Sequence, residues 1–521
     1  MRSWNKLSRG AANIREIMHS SATTRRAAMR SDGRRKVHGA ADSGHRSMPS
    51  PLASHSARFR AIDLRFVKDN ADLVARNAAD RAVVVNVPLV LNLYDRARQL
   101  TRDVEELRRQ RNRIAERMKS ARTMSEDELA RCVADGKQIR DAVSAADDSL
   151  QVVERALEEE SCKLPNLSHP DAPVGPEENA LVLRVVGQKR DFAADGLTAT
   201  DHLETARALD MVDFESASRV CGSKFYFMRN AGALLELALI NWAMNSASAA
   251  GFTVMTSPDV ARENIMADCG FQPRDESGQT YRIEDSDMCL VGTAEIPLAG
   301  YFAGHILDKS HLPIKMAAFS HCFRREVGTG SNARGLYRVH QFSKVELFVI
   351  SHPEESEALH TELREIQESM FESLGLHFRV LDMPTHDLGA PAHRKYDIEA
   401  WMPGRDLYGE ISSASNCTDY QARRLNIRYR GDQGVSRFAH TLNATACAVP
   451  RMIVAILENN LQVDGSVLVP EPLRPFMGGI DYIRHPPGPR LSFTQVGDSS
   501  ARHTTASGSQ SGLMQTRSGE Q

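Results

Sequence analysis

Two heptad patterns, set end to end with a short break between them, constrain this chain more than any other feature. Leu93, Ala97, Leu100, Val104, Leu107, Ile114 and Met118 recur at spacings of three and four, interrupted at Arg111. That period keeps one apolar stripe on one side of a helix. A second run follows through Leu129, Cys132, Gly136, Ile139, Val143, Ala146, Leu150, Val153 and Leu157. Pro88 precedes the first run and Pro165 ends the second. At the break near Met124, Ser125 and Glu128 have the spacing of a capping box. Consecutive stripes of this kind bury each other as an antiparallel hairpin. With each helix a little under about 30 residues, the arm would reach roughly 40 Å.

The charges on the two helices differ. The first carries Arg96, Arg98, Arg102, Arg108, Arg109, Arg111, Arg113, Arg117 and Lys119, and the second carries Asp147, Asp148, Glu154, Glu158, Glu159 and Glu160. Interhelical ion pairs on a solvated coiled coil account for such a pattern, and so does a basic face along a phosphate backbone. Both readings stay open on spacing alone. Ahead of the hairpin, Ala61 to Arg81 predicts a short helix with Leu64, Val67, Leu73 and Val74 as its apolar points.

Net charge is −2 over 521 residues, but it is unevenly spread. Residues 1–60 hold thirteen Lys or Arg against three acids, a net of +10, which leaves −12 for the rest. This Arg- and Ser-rich, acid-poor stretch has the composition of a mitochondrial transit peptide. A disordered basic arm that touches nucleic acid is the alternative. No apolar run approaches the ~20 residues of a membrane-spanning helix, so no membrane partner is expected. The eight cysteines include no C-x-x-C pair, which argues against disulfide scaffolds and zinc ribbons.

Residues 166–215, rich at first in Pro, Gly and Asp, are expected as a linker. Across 216–480, short strand-like runs (Phe225–Phe227, Phe252–Met255, Met316–Phe319, Val345–Ile350, Phe378–Leu381) alternate with amphipathic helices at Leu234–Ala250 and Glu354–Leu374. This predicts an α+β domain with a mainly antiparallel sheet flanked by helices. Residues 481–521 are a Ser-, Gly- and Thr-rich tail with little to bury, expected to be disordered.

Three stretches carry chemistry. Arg324, Arg325 and Glu326 open a Gly-rich polar loop that runs to Arg334 and Gly335, between two strand-like flanks. Arg324 and Arg334 can grip phosphate oxygens with planar forks, and a surface hairpin with cross-strand ion pairs fits equally well. Glu346 lies among apolar neighbours and needs a cationic partner if it points inward. Thr293, Ala294 and Glu295 form the second cluster. Either Thr293 and Glu295 share one strand face and hold an ammonium group, or Thr293 starts a helix. In the third, Glu399 and Glu410 are acids within strand-like runs, suited to Mg²⁺ carried by a nucleotide. Arg451 opens an apolar helix, Met452 to Leu457, where it can meet a terminal phosphate or a structural carboxylate.

Taken together, these stretches resemble seryl-tRNA synthetase, a class II aminoacyl-tRNA synthetase. "FRREVGTGSNARGLYRVHQFSKVELF" is similar to that family's motif 2, and "GTAEIPL" to its serine-site T-x-E element. "DIEAWMPGRDLYGEISSASNCTDYQARRLNIRYR" and "HTLNATACAVPRMIVAILENNLQVDGSVLVPEPLRPFMGG" resemble its region through motif 3. Pro258 sits where motif 1 places a dimer-interface proline, and the helical hairpin resembles the tRNA-binding arm. The resemblance spans roughly residues 60–480. It implies a homodimer that uses ATP and Mg²⁺ to join L-serine to tRNA(Ser). It also implies domains at 1–60 (leader), 61–165 (helical arm domain), 166–215 (linker), 216–480 (catalytic domain) and 481–521 (tail).

Site residues follow from the same resemblance. Thr293, Ala294, Glu295, Glu346 and Thr445 would bind serine, with Glu295 facing its ammonium. Arg324, Arg325, Glu326, Val339, Glu410, Ile411, Ser412, Ser413 and Arg451 would bind ATP, with Glu410 on Mg²⁺. Arg102, Arg109 and Arg113 would touch tRNA. The chain departs from the family at Ala444-Thr445-Ala446, where G-S-G is commoner, and at Pro450, where Gly is usual. A similar "NATACAVPR" pattern is typical of animal mitochondrial members, so with the basic leader the resemblance implies the mitochondrial matrix and a mitochondrial tRNA(Ser). The alternative is a non-catalytic paralogue that serves as a binding or regulatory protein, which would be expected to have lost site residues.

Overall fold

The computed structural model describes residues 62–271, 280–326 and 334–488. The basic leader, the centre of the Gly-rich loop and nearly all of the polar tail lie outside the described residues.

The heptad stripes form helices α1 (Val87–Met118) and α2 (Glu126–Cys162). Both are longer than their stripes, and α1 starts early because Val87 and Val90 are also buried against the arm's base. Asn86 caps α1 through its side chain, with Pro88 in the first turn. The predicted capping box forms: Ser125 Oγ accepts from the Glu128 N–H at 3.3 Å, and Glu128 Oε2 accepts from the Ser125 N–H at 3.1 Å. Leu100, Val104, Leu150, Val153 and Leu157 close the seam near the base. The single helix expected over 61–81 is two, Leu64–Asp69 and Ala71–Asp80, because the Asn70 side chain turns back onto the Phe66 carbonyl at 3.0 Å.

The arm joins the body through a buried guanidinium. Arg81 Nη1 donates to the carbonyls of Asn166 (3.0 Å) and Ala392 (2.9 Å), and Nη2 donates to that of Gly389 (2.6 Å). Asn166 in turn donates to the carbonyls of Pro391 and Cys417, both at 2.8 Å. Buried backbone oxygens need donors, and one planar fork serves several of them.

The body is built on an eight-stranded sheet: β1 (Leu181–Val186), β2 (Thr253–Thr256), β3 (Ile314–Phe323), β4 (Gln341–Ser351), β5 (Phe378–Asp382), β6 (Arg394–Met402), β7 (Leu407–Asn416) and β8 (His440–Ala448). Their spatial order is β1-β5-β6-β7-β8-β4-β3-β2. Every pairing is antiparallel except that of β2 with β3. Helices α3 (Asn230–Ala249), α5 (Ser356–Ser373) and α7 (Val449–Asn459) share one core with Val345, Leu347 and Val349 of β4. The even-numbered residues of β4 therefore face the other way, because side chains alternate along a strand. Phe348 and Ile350 help to form a second core with α4 (Glu295–Tyr301) and α6 (Tyr420–Leu425).

Two expected boundaries are corrected. The 166–215 stretch is more than a linker: it supplies edge strand β1 and the helix His202–Ala208. Alternation was a poor guide there because the residues of β1 up to Val185 are exposed. The folded body also runs past residue 480, since Ile483 is buried and pairs with Val467.

Candidate active site

The face of β4 turned away from α3, α5 and α7 collects charge. Glu346 stands opposite Thr445 of β8. Thr445 Oγ1 donates to Glu346 Oε2 at 3.3 Å, and Lys344, two residues earlier on the same face, forms a buried ion pair with that carboxylate. Glu346 thus has the cationic partner its sequence setting required.

Glu295 approaches this face from α4. Thr293 does not share a strand with it, as one expectation had it; the pair sits at a helix start, where Thr293 Oγ1 accepts from the Glu295 N–H at 3.3 Å. Thr293 and Ala294 are buried there. Gln421 of α6 and Asn443 of β8 both donate to Glu295 Oε1, at 2.5 and 2.9 Å. Thr441 Oγ1 donates to Gln421 Oε1 at 2.7 Å and so orients that amide. Burial, followed by the nearby charge of Glu346, pushes the Glu295 carboxyl up to about 7, against the Gln421 hydrogen bond and Lys344. A buried carboxylate poised in this way suits a ligand that brings its own positive charge.

Arg324, just past the end of β3, links this acidic cluster to the adjoining cleft. Its Nε and Nη2 donate to the Gly292 carbonyl at 3.4 and 3.3 Å, and its guanidinium lies 5.3 Å from the Phe342 ring centre. The cleft encloses about 650 Å³ of space, part of it open to solvent. Arg324, Glu326, Val339, Glu410, Ile411, Ser412, Ser413, Thr445 and Arg451 all line it, together with Tyr337 and Lys344.

Arg451, in the first turn of α7 behind Pro450, donates through Nη1 to the Glu410 carbonyl at 3.0 Å and pairs with Glu410 Oε2 at 3.1 Å. The Tyr337 ring centre lies 4.7 Å from the Arg451 guanidinium and 4.4 Å from that of Arg405. Burial opposes ionisation of Glu410, but Arg451 and then Lys395 outweigh it and hold the carboxyl below the usual carboxylate range. An ionised carboxylate with 39% of its side chain accessible is a fitting hard-oxygen ligand for Mg²⁺.

The backbone of the cleft is fixed from behind. Where β8 bulges between Thr445 and Cys447, Gln367 of α5 donates to the Thr445 carbonyl (3.0 Å), the Ser413 carbonyl (2.9 Å) and Ser412 Oγ (2.7 Å). Ser412 Oγ donates to the Thr445 carbonyl at 2.6 Å.

Three sequence candidates stand apart. Arg325 and Arg334 are exposed and do not line the cleft. Glu399 pairs in register with Glu410, but its carboxylate is taken by Arg379 at 2.6 Å. Sequence reasoning missed Lys344, Asn443, Gln421, Gln367 and Tyr337. The period of two marked the first pair, since Lys344 precedes Glu346 by two and Asn443 precedes Thr445 by two. Gln421 and Gln367 come from distant helices and left no local signal.

The chain matches two family models, the seryl-tRNA synthetase N-terminal domain over residues 61–168 and the tRNA synthetase class II core domain (G, H, P, S and T) over 280–460. It is 45% identical to the serine–tRNA ligase of Treponema denticola, over 80% of this chain and 99% of that one. The crystal structure of seryl-tRNA synthetase from Pyrococcus horikoshii complexed with ATP superposes with a TM-score of 0.73 at 35% identity, covering 81% of this chain and 99% of that one. The cytoplasmic serine–tRNA ligase of Naegleria fowleri in complex with AMP superposes with a TM-score of 0.68 at 28% identity, covering 81% and 97%. With the arm, the sheet and the acidic cluster beside the cleft in place, the chain belongs to the serine–tRNA ligase family of class II aminoacyl-tRNA synthetases.

Proposed function

We propose that the chain activates L-serine with ATP and transfers it to the 3′ end of a mitochondrial tRNA(Ser). The observation that carries the reading is the junction at Arg324: a buried acidic cluster (Glu295, Glu346, Thr445) lies beside a cleft flanked by Arg324 and Arg451. The relatives complexed with ATP and AMP support a nucleotide in that cleft.

In this reading Glu295 takes the serine ammonium beside Thr293 and Ala294, and Glu346 with Thr445 takes the hydroxyl. A site built to hydrogen-bond a hydroxyl rejects analogues that lack one, because its own polar groups are left unpaired. Arg324 holds the α-phosphate, Glu326 and Val339 border the adenine, Ile411 to Ser413 line the cleft floor, and Arg451 holds the far phosphate. Arg325, exposed and outside the cleft lining, has no part in this arrangement. Glu410 would hold Mg²⁺, which supplies charge neutralisation for the phosphates. The serine carboxylate attacks the α-phosphorus in line and pyrophosphate leaves; the terminal ribose hydroxyl of the tRNA then attacks the adenylate carbonyl and AMP leaves. Catalysis is mainly positioning and electrostatics.

Arg102, Arg109 and Arg113 are exposed on α1 and border the tRNA track, although Arg109 and Arg113 also pair with Glu106, each at 3.0 Å. A second copy would cover Leu234 and Leu237 of α3 and Val254 of edge strand β2, all exposed apolar residues, with Val254 four positions ahead of Pro258 in sequence. The basic leader supports import into the mitochondrial matrix. No described helix is long and apolar enough to cross a membrane.

The test is serine-dependent ATP–pyrophosphate exchange by protein lacking residues 1–60. Exchange with serine, absent with alanine and lost in Arg324→Ala, is expected. A folded protein that does not exchange would restore the non-catalytic paralogue.

A further inference from the structure

Behind the cleft, four segments converge on one imidazole. The side chains of His202 and of Glu458 on α7 are both fully buried. His202 Nδ1 lies 3.1 Å from Glu458 Oε1, which also accepts from the His202 backbone N–H at 3.2 Å. Glu458 Oε2 accepts from the Gly404 N–H at 2.9 Å. Across the ring, Nε2 accepts from the Leu336 N–H at 3.3 Å. A ring nitrogen that accepts leaves the other to carry the proton, so Nδ1 donates to Glu458.

Two glycines permit this approach. A Cβ on Gly335, where φ is +67°, would lie 2.3 Å from His202 Nε2, and one on Gly404 would lie 2.2 Å from the Thr200 carbonyl oxygen. The grouping of Asp201, His202 and Glu458 has the spacing of a metal site, but its donors are committed elsewhere. Asp201 Oδ1 accepts from the Leu203 N–H at 2.8 Å, both Glu458 oxygens hold backbone N–H groups, and Nε2 faces Leu336.

Leu336 leaves the Gly-rich loop and immediately precedes Tyr337, whose ring underlies Arg451 and whose hydroxyl donates to the Glu410 carbonyl at 3.3 Å. Leu336, Tyr337 and Val339 all line the cleft, whereas His202 and Glu458 do not. We propose that His202 and Glu458 are positioning residues for the nucleotide: together they clamp the exit of the loop to α7 and so set Tyr337 and Val339 at the depth the cleft requires. The inference rests on the reading that ATP occupies this cleft.

The test compares His202→Leu, which makes neither bond, with His202→Gln, whose carbonyl accepts and whose amide donates. In pyrophosphate exchange, His202→Leu should raise the KM for ATP about tenfold and leave the KM for serine within about twofold, while His202→Gln recovers most of the loss. Hydrogen exchange at the Leu336 amide should speed up in the Leu variant and stay slow in the Gln variant. Gly335→Ala, which drives a Cβ into the ring, supplies a second perturbation with the same ATP-selective loss expected. An unchanged KM for ATP in His202→Leu or Gly335→Ala, or equal losses for Leu and Gln, would overturn the clamp. A parent protein that does not exchange would refute the reaction instead, and Leu336 protection would still decide the clamp.

Discussion

Serine binding should be strongly pH-dependent, and Glu295 sets the size of the effect. Its carboxyl is pushed up to about 7 by burial and by the charge of Glu346. In the ligand-free protein the protonated form is therefore favoured below about pH 7, and the sign follows. A raised carboxyl pKa stabilises the native state at low pH, and that contribution falls as pH rises from 4.5, the ordinary value, through about 7. Over that interval the fall is about 3 kcal/mol, at 1.36 kcal/mol per unit. An ammonium ion bound to Glu295 favours the charged form and offsets the cost. Near pH 6 only about a tenth of the unliganded sites are ionised, so serine should bind about tenfold more weakly there than near pH 8. Titration calorimetry without nucleotide, in two buffers of different ionisation enthalpy, measures both consequences. Binding should release about 0.9 proton near pH 6 and about 0.1 near pH 8. Serine affinity that is flat from pH 6 to 8, with no proton released, would refute the reasoning and remove Glu295 from the ammonium site.

Two further outcomes are expected. Arg109→Ala with Arg113→Ala should lower aminoacylation efficiency about tenfold and flatten its salt dependence by one or two units of log–log slope; pyrophosphate exchange should be unaffected, and an equal fall in exchange would count against the arm as an RNA surface. Arg81→Met should destabilise the protein by about 2–4 kcal/mol in denaturant titration, because the Ala392 carbonyl loses its donor and the carbonyls of Asn166 and Gly389, which keep the Asn77 amide and the Ala392 N–H, each lose one of two in a buried network; a change under about 1 kcal/mol would show that water replaces it.

Where one short-range rule acts alone, the sequence was readable. The arm follows from a period of three and four, its turn from Ser125 and Glu128, and the need of an inward Glu346 for a cationic partner from its apolar neighbours. Legibility failed where geometry depends on distant residues. Glu399 and Glu410 look alike along the chain, yet Arg379 captures one and Arg451 holds the other beside the cleft. Gln367 reads as one more polar residue on an amphipathic helix, although it carries the bulge at Thr445. The strand Leu181–Val186 hid in a Pro- and Gly-rich setting because its own side chains are mostly exposed and only its backbone joins the sheet.

The Arg81 joint has a mechanical meaning. Arg81 stands just ahead of the arm's first long helix, and Asn166 follows its second, so both roots of the arm are gripped at one place. The arm is a cantilever: a beam held rigidly at one end and free at the other. With 32 residues in its first helix, the beam is about 48 Å long at 1.5 Å per residue. A tilt of about 5° at the root would swing the tip by about 4 Å, more than the length of a hydrogen bond. Whatever the tip grasps is therefore aimed by the stiffness of a few carbonyl contacts at the root, and small packing changes around Gly389 or Ala392, far from any RNA, would alter the aim.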